Sequence, residues 1–393
     1  MPQFPGQTHI FFWREIAEME ARGTMPVLFS TRPPPPGLIS HAWTEEAMAR
    51  TTYLGKLAPL DVLASLPRLP WGEIAVEARR DGKAVIKDTL ICAGAALALK
   101  RACKAQGIDH VHVHSCARGA MIAAFAKALG GPTYSITLHG PLSDYGLAQP
   151  FKWRNAAFAT VITRKLIAEM EAAQPNDLPS RMILRPMGVN TDVFKRVAPY
   201  APVAKEEILR IFACGRLNIV KGHQDLISAV KRLLNRGRKV SLEIAGQDDD
   251  GGSGYRLELD ALIAREGLGD HVTLLGAIDA DLVRVKLLEA HIFALASWHE
   301  PLGVAYMEAI ACGVPTIGTQ SGGVPELITD GVEGLLVPPK DPETLAQAIA
   351  RIADDPELAH TLSTTGRERM VREFSAHLGA ETIIKETLKT LAG

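Results

Sequence analysis

The chain reads as an α/β protein built from two doubly wound, Rossmann-like domains. Short β-rich apolar runs alternate with helical stretches over most of its 393 residues, the pattern of parallel βα units. The alternation is interrupted over "GVNTDVFKRVAPYAPVAKEE" (188–207), where turn formers and two prolines precede a new strand. The length also exceeds what one ordinary core supports, which favours two domains.

In the first half the expected strands are "MPVLFS" (25–30), "HVHVHS" (110–115), "YSITLH" (134–139), "FATVIT" (158–163) and "RMILRP" (181–186). In the second they are "LRIFACG" (209–215), "VSLEIAG" (240–246), "HVTLLG" (271–276), "HIFALAS" (291–297), "VPTIGT" (314–319) and "GLLVPP" (334–339). Helices are expected over 117–130, 222–236, 254–266 and 342–354, and the closing run "FSAHLGAETIIKETLKTLAG" reads as one more. "RPPPPG" (32–37) is a loop, because proline fixes φ and donates no hydrogen bond. These elements set an N-terminal domain over 1–192, a C-terminal domain over 205–372 and a terminal helix over 373–393. Ligands of such sheets bind beyond the carboxyl ends of the strands, and a cleft between two such domains is the expected site.

Apolar residues at 47% and charged residues at 22% are ordinary for a globular protein. Residues 1–192 carry five more basic than acidic side chains and the remainder six more acidic than basic ones. That imbalance is too weak and too scattered for nucleic-acid binding, although a mildly basic N-terminal half suits an acidic partner or a membrane surface. Cys92, Cys103, Cys116, Cys214 and Cys312 form no C-x-x-C pair, which argues against a disulfide framework or thiolate metal site and for a reducing compartment. The first residues show no basic region followed by a cleavage site, and the uncharged apolar run 90–99 is about half of what spans a bilayer. A cytoplasmic location is expected.

The densest chemical signal is "HEPLGVAYMEAIACGVPTIGTQSGGVPELI" (299–328). Pro301 and Gly303 sit where a helix starts after the strand 291–297, and Gly313 is placed to end it. The first turn of a helix offers unpaired N–H groups and partial positive charge to an anion such as phosphate. Glu308 lies four residues beyond Val304 and so on the face of that first turn, where a carboxylate can accept two hydrogen bonds from a vicinal diol. Glu300, just before the helix, is placed for whatever lies beyond the phosphates. In "FACGRLNIVKGHQDLISAV", Arg216 and Lys221 follow the first strand of the same domain, a bidentate fork and a compact charge suited to a diphosphate.

"GRLNIVKG", "HEPLGVAYMEA" with its E-x7-E spacing, "ACGVPTIGTQSGGVPELI" and "DGVEGLLVPPKDPETLAQAIARIADDP" together resemble the nucleotide-sugar domain of retaining glycosyltransferases of family 4, over roughly 210–356. "FPGQTHIFFWREIAEMEARGTMPVLFSTRPP" further resembles the subgroup of colanic-acid and other exopolysaccharide clusters, and "TLHG" (137–140) its acceptor-side histidine block. Thr8, His9 and Ile10 stand where that subgroup has Ser-Glu-Thr. The resemblance implies a GT-B fold: two Rossmann-like domains facing a central cleft, with the C-terminal helix crossing back to the N-terminal domain. It implies Arg216 and Lys221 on the diphosphate, Glu308 on the ribose, Glu300 on the transferred sugar, and amides at Gly303 and Val304 on the phosphates. It also places Gly246 in the donor loop and His139 near the anomeric carbon. No metal or cofactor is implied, the donor being a UDP- or GDP-sugar. The acceptor is a saccharide, lipid-linked in exopolysaccharide assembly. The implied activity is hexosyl transfer with retention. The basic and apolar segment 77–107 suits either a peripheral contact with the inner face of the membrane or an ordinary domain helix whose apolar face is core.

Two other readings share the architecture: a nucleotide-sugar 2-epimerase, and a non-catalytic two-lobed binding protein. "QDDDG" (247–251) reads as a loop rather than a metal-binding D-x-D. The alternating histidines of "HVHVHS" read as buried or cleft-lining rather than as a metal pair.

Overall fold

The computed structural model describes residues 1, 3–6, 9–34, 43–55, 59–248 and 254–393. Part of "RPPPPG" (35–37), Thr8 and the end of "QDDDG" (249–251) lie outside them. The chain divides into unit 1, Met1–Pro186 with His377–Gly393, and unit 2, Met187–Ala376.

Unit 2 is built on one parallel sheet of β7 (Leu209–Cys214), β8 (Val240–Ala245), β9 (Val272–Gly276), β10 (Ile292–Ala294), β11 (Thr316–Thr319) and β12 (Leu335–Val337). Their spatial order is β12-β11-β10-β7-β8-β9. β7 and β10 are therefore neighbours although far apart in sequence, and the winding reverses between them, which makes their carboxyl ends the topological switch point. The strands are apolar runs because helices cover both faces. Leu226, Ile227, Val230 and Leu233 of the helix His223–Asn235 meet Leu345, Ile349 and Ile352 of the helix Pro342–Asp354 in that core.

In unit 1, β1 (Leu28–Ser30) and β2 (Thr51–Tyr53) form a two-stranded parallel sheet, and β3 (His110–His114), β4 (Thr133–Leu138), β5 (Ala159–Val161) and β6 (Met182–Leu184) a separate four-stranded one. The expected single sheet is thus two among the described residues, and β2 is a strand the sequence pattern missed. The helix Ala84–Gln106 buries the apolar middle of 77–107, with Cys92 to Leu97 and Leu99 all in the core. No helix of the described residues is long and apolar enough to cross a membrane.

The join lies at Pro186–Met187, before the interrupted segment rather than within it, because 188–204 is held by unit 2. Val189 N donates to Phe374 O and Ala376 N to Val189 O, both at 2.9 Å. Arg367 donates to the carbonyls of Thr191 and Phe194, and Tyr200 to His291 O at 2.8 Å. The same contacts keep residues 373–376 in unit 2, so the terminal helix Ala376–Ala392 packs into unit 1 only from His377 onward. There Ala380 and Ile383 are buried with Met19, and Arg181 donates to Glu386 Oε2 at 2.8 Å.

Histidines make unit 1 polar at its centre. His110 Nδ1 and Nε2 hydrogen-bond Thr133 and Ser135 at 2.8 Å, and His112 bonds Ser135 and Thr137 at 2.7 Å, a ladder of imidazoles and hydroxyls across β3 and β4. Desolvation holds His110 and His9 at a pKa of about 4 and His112 well below the ordinary value; His223 and His291 in unit 2 are also lowered to about 4. These groups bind protons in the unfolded chain near pH 6.5 but not in the folded one, so their contribution is complete above that pH and is lost as pH falls toward 4. Thermal unfolding should therefore move to lower temperature between pH 7 and pH 5, before carboxylates titrate. A melting temperature constant over that interval contradicts the assignment.

Candidate active site

The loop after β7 and the loop after β10 meet at the switch point. Gly222, with φ of +68°, lies so close to the exit of β10 that a Cβ would stand 1.9 Å from Ala296 O; only glycine permits that approach. Trp298 N donates to Val220 O at 2.8 Å, joining the two loops. The Trp298 indole donates to Asp225 Oδ2 at 2.6 Å, while Lys340 Nζ sits 4.1 Å above its ring. Ser321 Oγ donates to Trp298 O at 2.6 Å and Thr319 Oγ1 to Ser297 O at 2.5 Å, fixing the second loop to β11 and its exit.

This contact brings Lys221 and Glu300, 79 residues apart, into a direct ion pair in which Lys221 Nζ donates to Glu300 Oε2. Glu300 is buried, and Ser297 Oγ donates to the same oxygen at 3.4 Å. Its carbonyl is held from behind by Gly323 N at 2.9 Å. Gly322, with φ of +63°, permits this: a Cβ there would stand 1.9 Å from Glu300 O.

The helix Val304–Ala311 follows. Gly303 is its N-cap and supplies no side-chain cap, so the first-turn amides at Val304 and beyond are not taken by a capping side chain. Tyr306 OH donates to Leu295 O at 2.6 Å and ties the helix to β10. Glu308 is buried in its middle. Its charge, after burial, helps push the thiols of Cys214 and Cys312 up to about 12, which sets the carboxylate beside the carboxyl end of β7. Both thiols are neutral and poor nucleophiles.

Arg216 is exposed on the β7 loop, and its carbonyl lies 3.2 Å from Nε2 of the buried His223. Gly246 follows β8 and donates to Gly276 O at 2.8 Å. Asp248 Oδ1 accepts from Arg256 N at 3.0 Å at the start of the helix Tyr255–Arg265, a structural role. His139 belongs to unit 1, at the end of β4. Its Nε2 lies 3.3 Å from His114 Nδ1, and His114 Nε2 lies 3.1 Å from Glu15 Oε1. Burial holds His139 well below its ordinary pKa, and its Nδ1 is buried without a hydrogen-bond partner. No cluster of potential metal ligands occurs among the described residues.

Of the residues singled out in the sequence, the structure brings Lys221, Glu300, Gly303, Val304 and Glu308 to the β7–β10 switch point, with Arg216 on the same loop as Lys221. Sequence reasoning missed Ser297, Trp298, Asp225, Gly322 and Lys340. The tryptophan directly after the strand run 291–297 was the available signal.

A loop pair and an open helix N-terminus thus meet at the switch point of the doubly wound sheet, the place where sheets of this kind receive their ligands. Residues 201–369 match the family model Glycosyl transferases group 1, which supports that family for this part of the chain. Alpha-D-kanosaminyltransferase of Streptomyces kanamyceticus is 29% identical over 247 residues, 61% of this chain and 60% of that protein. A GDP-mannose-dependent alpha-(1-6)-phosphatidylinositol monomannoside mannosyltransferase of Mycolicibacterium smegmatis is 30% identical over 198 residues, 46% of this chain and 50% of that protein. The matches therefore span about half to three-fifths of these relatives. Anabaena Alr3699/HepE, solved in complex with UDP, superposes with a TM-score of 0.75 over 99% of this chain and 100% of that one, at 18% identity. Sucrose-phosphate synthase from Thermosynechococcus elongatus gives 0.73 over 98% and 94%, at 22% identity. The fold is the GT-B fold, an α/β architecture with parallel sheets in two Rossmann-like units.

Replacing Gly322 by Ala should cost about 1–3 kcal/mol of stability, because the added methyl strains the backbone and displaces the Glu300 carbonyl. Denaturant unfolding measures the cost; a variant as stable as the parent removes this support for Glu300.

Proposed function

We propose that the protein transfers a glycosyl group from a nucleoside-diphosphate sugar to an acceptor hydroxyl. The observation that carries this reading is the convergence of Lys221, Glu300, Glu308 and an uncapped helix N-terminus at the β7–β10 switch point. The group 1 match and the sugar-transferring relatives support it, and the UDP held by the Anabaena neighbour supports a uridine donor.

Arg216, Lys221 and the amides of Gly303 and Val304 are assigned to the diphosphate, Glu308 to the ribose hydroxyls, Glu300 to the transferred sugar, and Gly246 to the donor loop. Lys221 is already paired with Glu300, which gives the pair a second use. A diphosphate that draws Lys221 toward itself leaves the Glu300 carboxylate free to accept hydrogen bonds from the sugar. In the transfer, the bond from the anomeric carbon to the diphosphate oxygen breaks and one to the acceptor oxygen forms, the acceptor proton ending on the released diphosphate. Positive charge at the diphosphate stabilises the charge that develops there, and positioning supplies much of the rest. The configuration is retained by attack from the leaving-group face, with His139 near the anomeric carbon and no metal ion taking part.

A hexose donor and a saccharide acceptor carried on a lipid, as in exopolysaccharide assembly, complete the reading. A peripheral membrane contact at the inner face then falls on Lys83, Lys87, Leu90 and Ile91, which are exposed on the helix Ala84–Gln106 and at its N-cap.

Arg216→Ala should lower kcat/KM by about 2–4 kcal/mol of transition-state stabilisation, and Glu308→Gln should weaken UDP binding in calorimetry. Activity of Arg216→Ala within twofold of the parent, or unchanged UDP affinity in Glu308→Gln, sinks the corresponding assignment. Turnover in excess chelator should persist and should require an acceptor. Loss restored by Mg²⁺ or Mn²⁺ contradicts metal independence, and conversion of the donor alone indicates epimerisation.

A further inference from the structure

Unit 1 buries an ammonium whose place packing does not explain. Lys152, on the helix Gln149–Arg154, is 2% exposed, and its Nζ donates to Cys116 O at 2.8 Å and to Tyr145 O at 3.3 Å. An ammonium has three N–H donors, so one is left over. Among the described residues no carboxylate pairs with it: Asp81 and Asp88, whose charges it feels, are bonded to Arg80 and Arg118 at 2.7 and 2.8 Å. Burial lowers its pKa to about 8, which still leaves it charged at neutral pH. Nor do the two carbonyls need it. Gln149 Nε2 also donates to both, at 3.4 Å to Cys116 O and 3.1 Å to Tyr145 O. A methionine of similar length would fill the place with no charge to desolvate.

The Lys152 side chain lines a cavity of about 520 Å³, within the range of roughly 300–1,000 Å³ in which small-ligand sites fall. Arg32, Arg118 and Lys152 line it against one carboxylate, that of Asp88. Positive charge is thus in excess by two, which matches a phosphate monoester, at about −1.5 to −2, better than the single charge of a carboxylate. The helix Arg118–Ala128 begins in the same wall, and its N-cap Ala117 supplies no side-chain cap, so its first-turn amides are not taken by a capping side chain. Leu54, Val62, Met121 and Leu147 give the cavity an apolar side. A ligand that fits both carries a phosphate on a compact apolar body.

We propose that this cavity is a second ligand site, separate from the switch point of unit 2, and that it takes a small phosphate monoester with a compact apolar body. Lys152 gives its third N–H to a phosphate oxygen, and Arg118 the N–H groups that Asp88 does not use. The apolar side chains cover the body. The site lies within unit 1 and stands whether or not the chain transfers sugars.

Calorimetric titration of the full chain with phenyl phosphate, in excess UDP to occupy the switch point, tests this. Phenyl phosphate should bind about tenfold more tightly than inorganic phosphate or benzoate, and phenol should not bind. Lys152→Met should weaken phenyl phosphate binding about tenfold. Asp88→Asn removes the one opposing charge and should tighten it about twofold, a readout that holds even where Lys152→Met does not fold. No binding of phenyl phosphate, or an affinity equal to the parent's in both variants, overturns the proposal. Benzoate binding as tightly as phenyl phosphate overturns it as well.

Discussion

The candidate site depends on one close approach, that of the β7 loop to the exit of β10 across Gly222 and Ala296. β7 and β10 are hydrogen-bonded neighbours at the centre of the sheet, so their following loops start side by side. The missing Cβ of Gly222 and the Val220–Trp298 hydrogen bond then close the remaining distance. The consequence is the Lys221–Glu300 pair. Removing two charges from water costs several kcal/mol per ion, and their attraction returns this only with good geometry, so the pair is weak evidence for stability. Its better physical reading is as two opposite charges from separate loops held together at the switch point.

Trp298 explains why that pair stays in register. Its backbone is held by Val220 and Ser321, its indole by Asp225 and its ring face by Lys340. Burial raises the Asp225 carboxyl, and the indole hydrogen bond opposes that shift. Three segments distant in sequence, around 220–225, 321 and 340, thus converge on one residue two positions before Glu300. A movement of any of them would displace the carboxylate.

Much of the fold was legible in the sequence. Every strand expected in either half overlaps an observed one, because strands buried under helices must be apolar throughout and stand out against helices whose exposed faces are polar. β2 was illegible: three residues, beginning at the C-cap of the helix Thr44–Arg50, give neither a run nor a turn signal. The positions of Glu300, Gly303 and Glu308 were legible because they follow one strand in sequence. The Lys221–Glu300 contact was not, since it joins loops that follow different strands and depends on strand order, which periodicity does not encode. The boundary at Pro186 was hidden for a similar reason: the turn formers of 188–204 look like a linker, and only long-range hydrogen bonds to residues such as His291, Arg367, Phe374 and Ala376 show that they belong to unit 2.

The two units solve the same packing problem with different materials. Unit 2 closes its six-stranded sheet mainly with aliphatic side chains, and its buried imidazoles lie off the strands, His223 at the start of the helix His223–Asn235 and His291 just before β10. Unit 1 places three imidazoles along β3 and satisfies two of them with the hydroxyls of β4, Thr137 being bonded in turn to Thr160 at 2.5 Å. Such a ladder works only with neutral rings, because each ring must accept as well as donate, and a second charge within it would have no counter-ion nearby. Glu15 meets the ladder at His114, where the chain of contacts passes on to His139. The tautomer of His139, and so whether its buried Nδ1 presents a proton or a lone pair, is thereby tied to a carboxylate two side chains away.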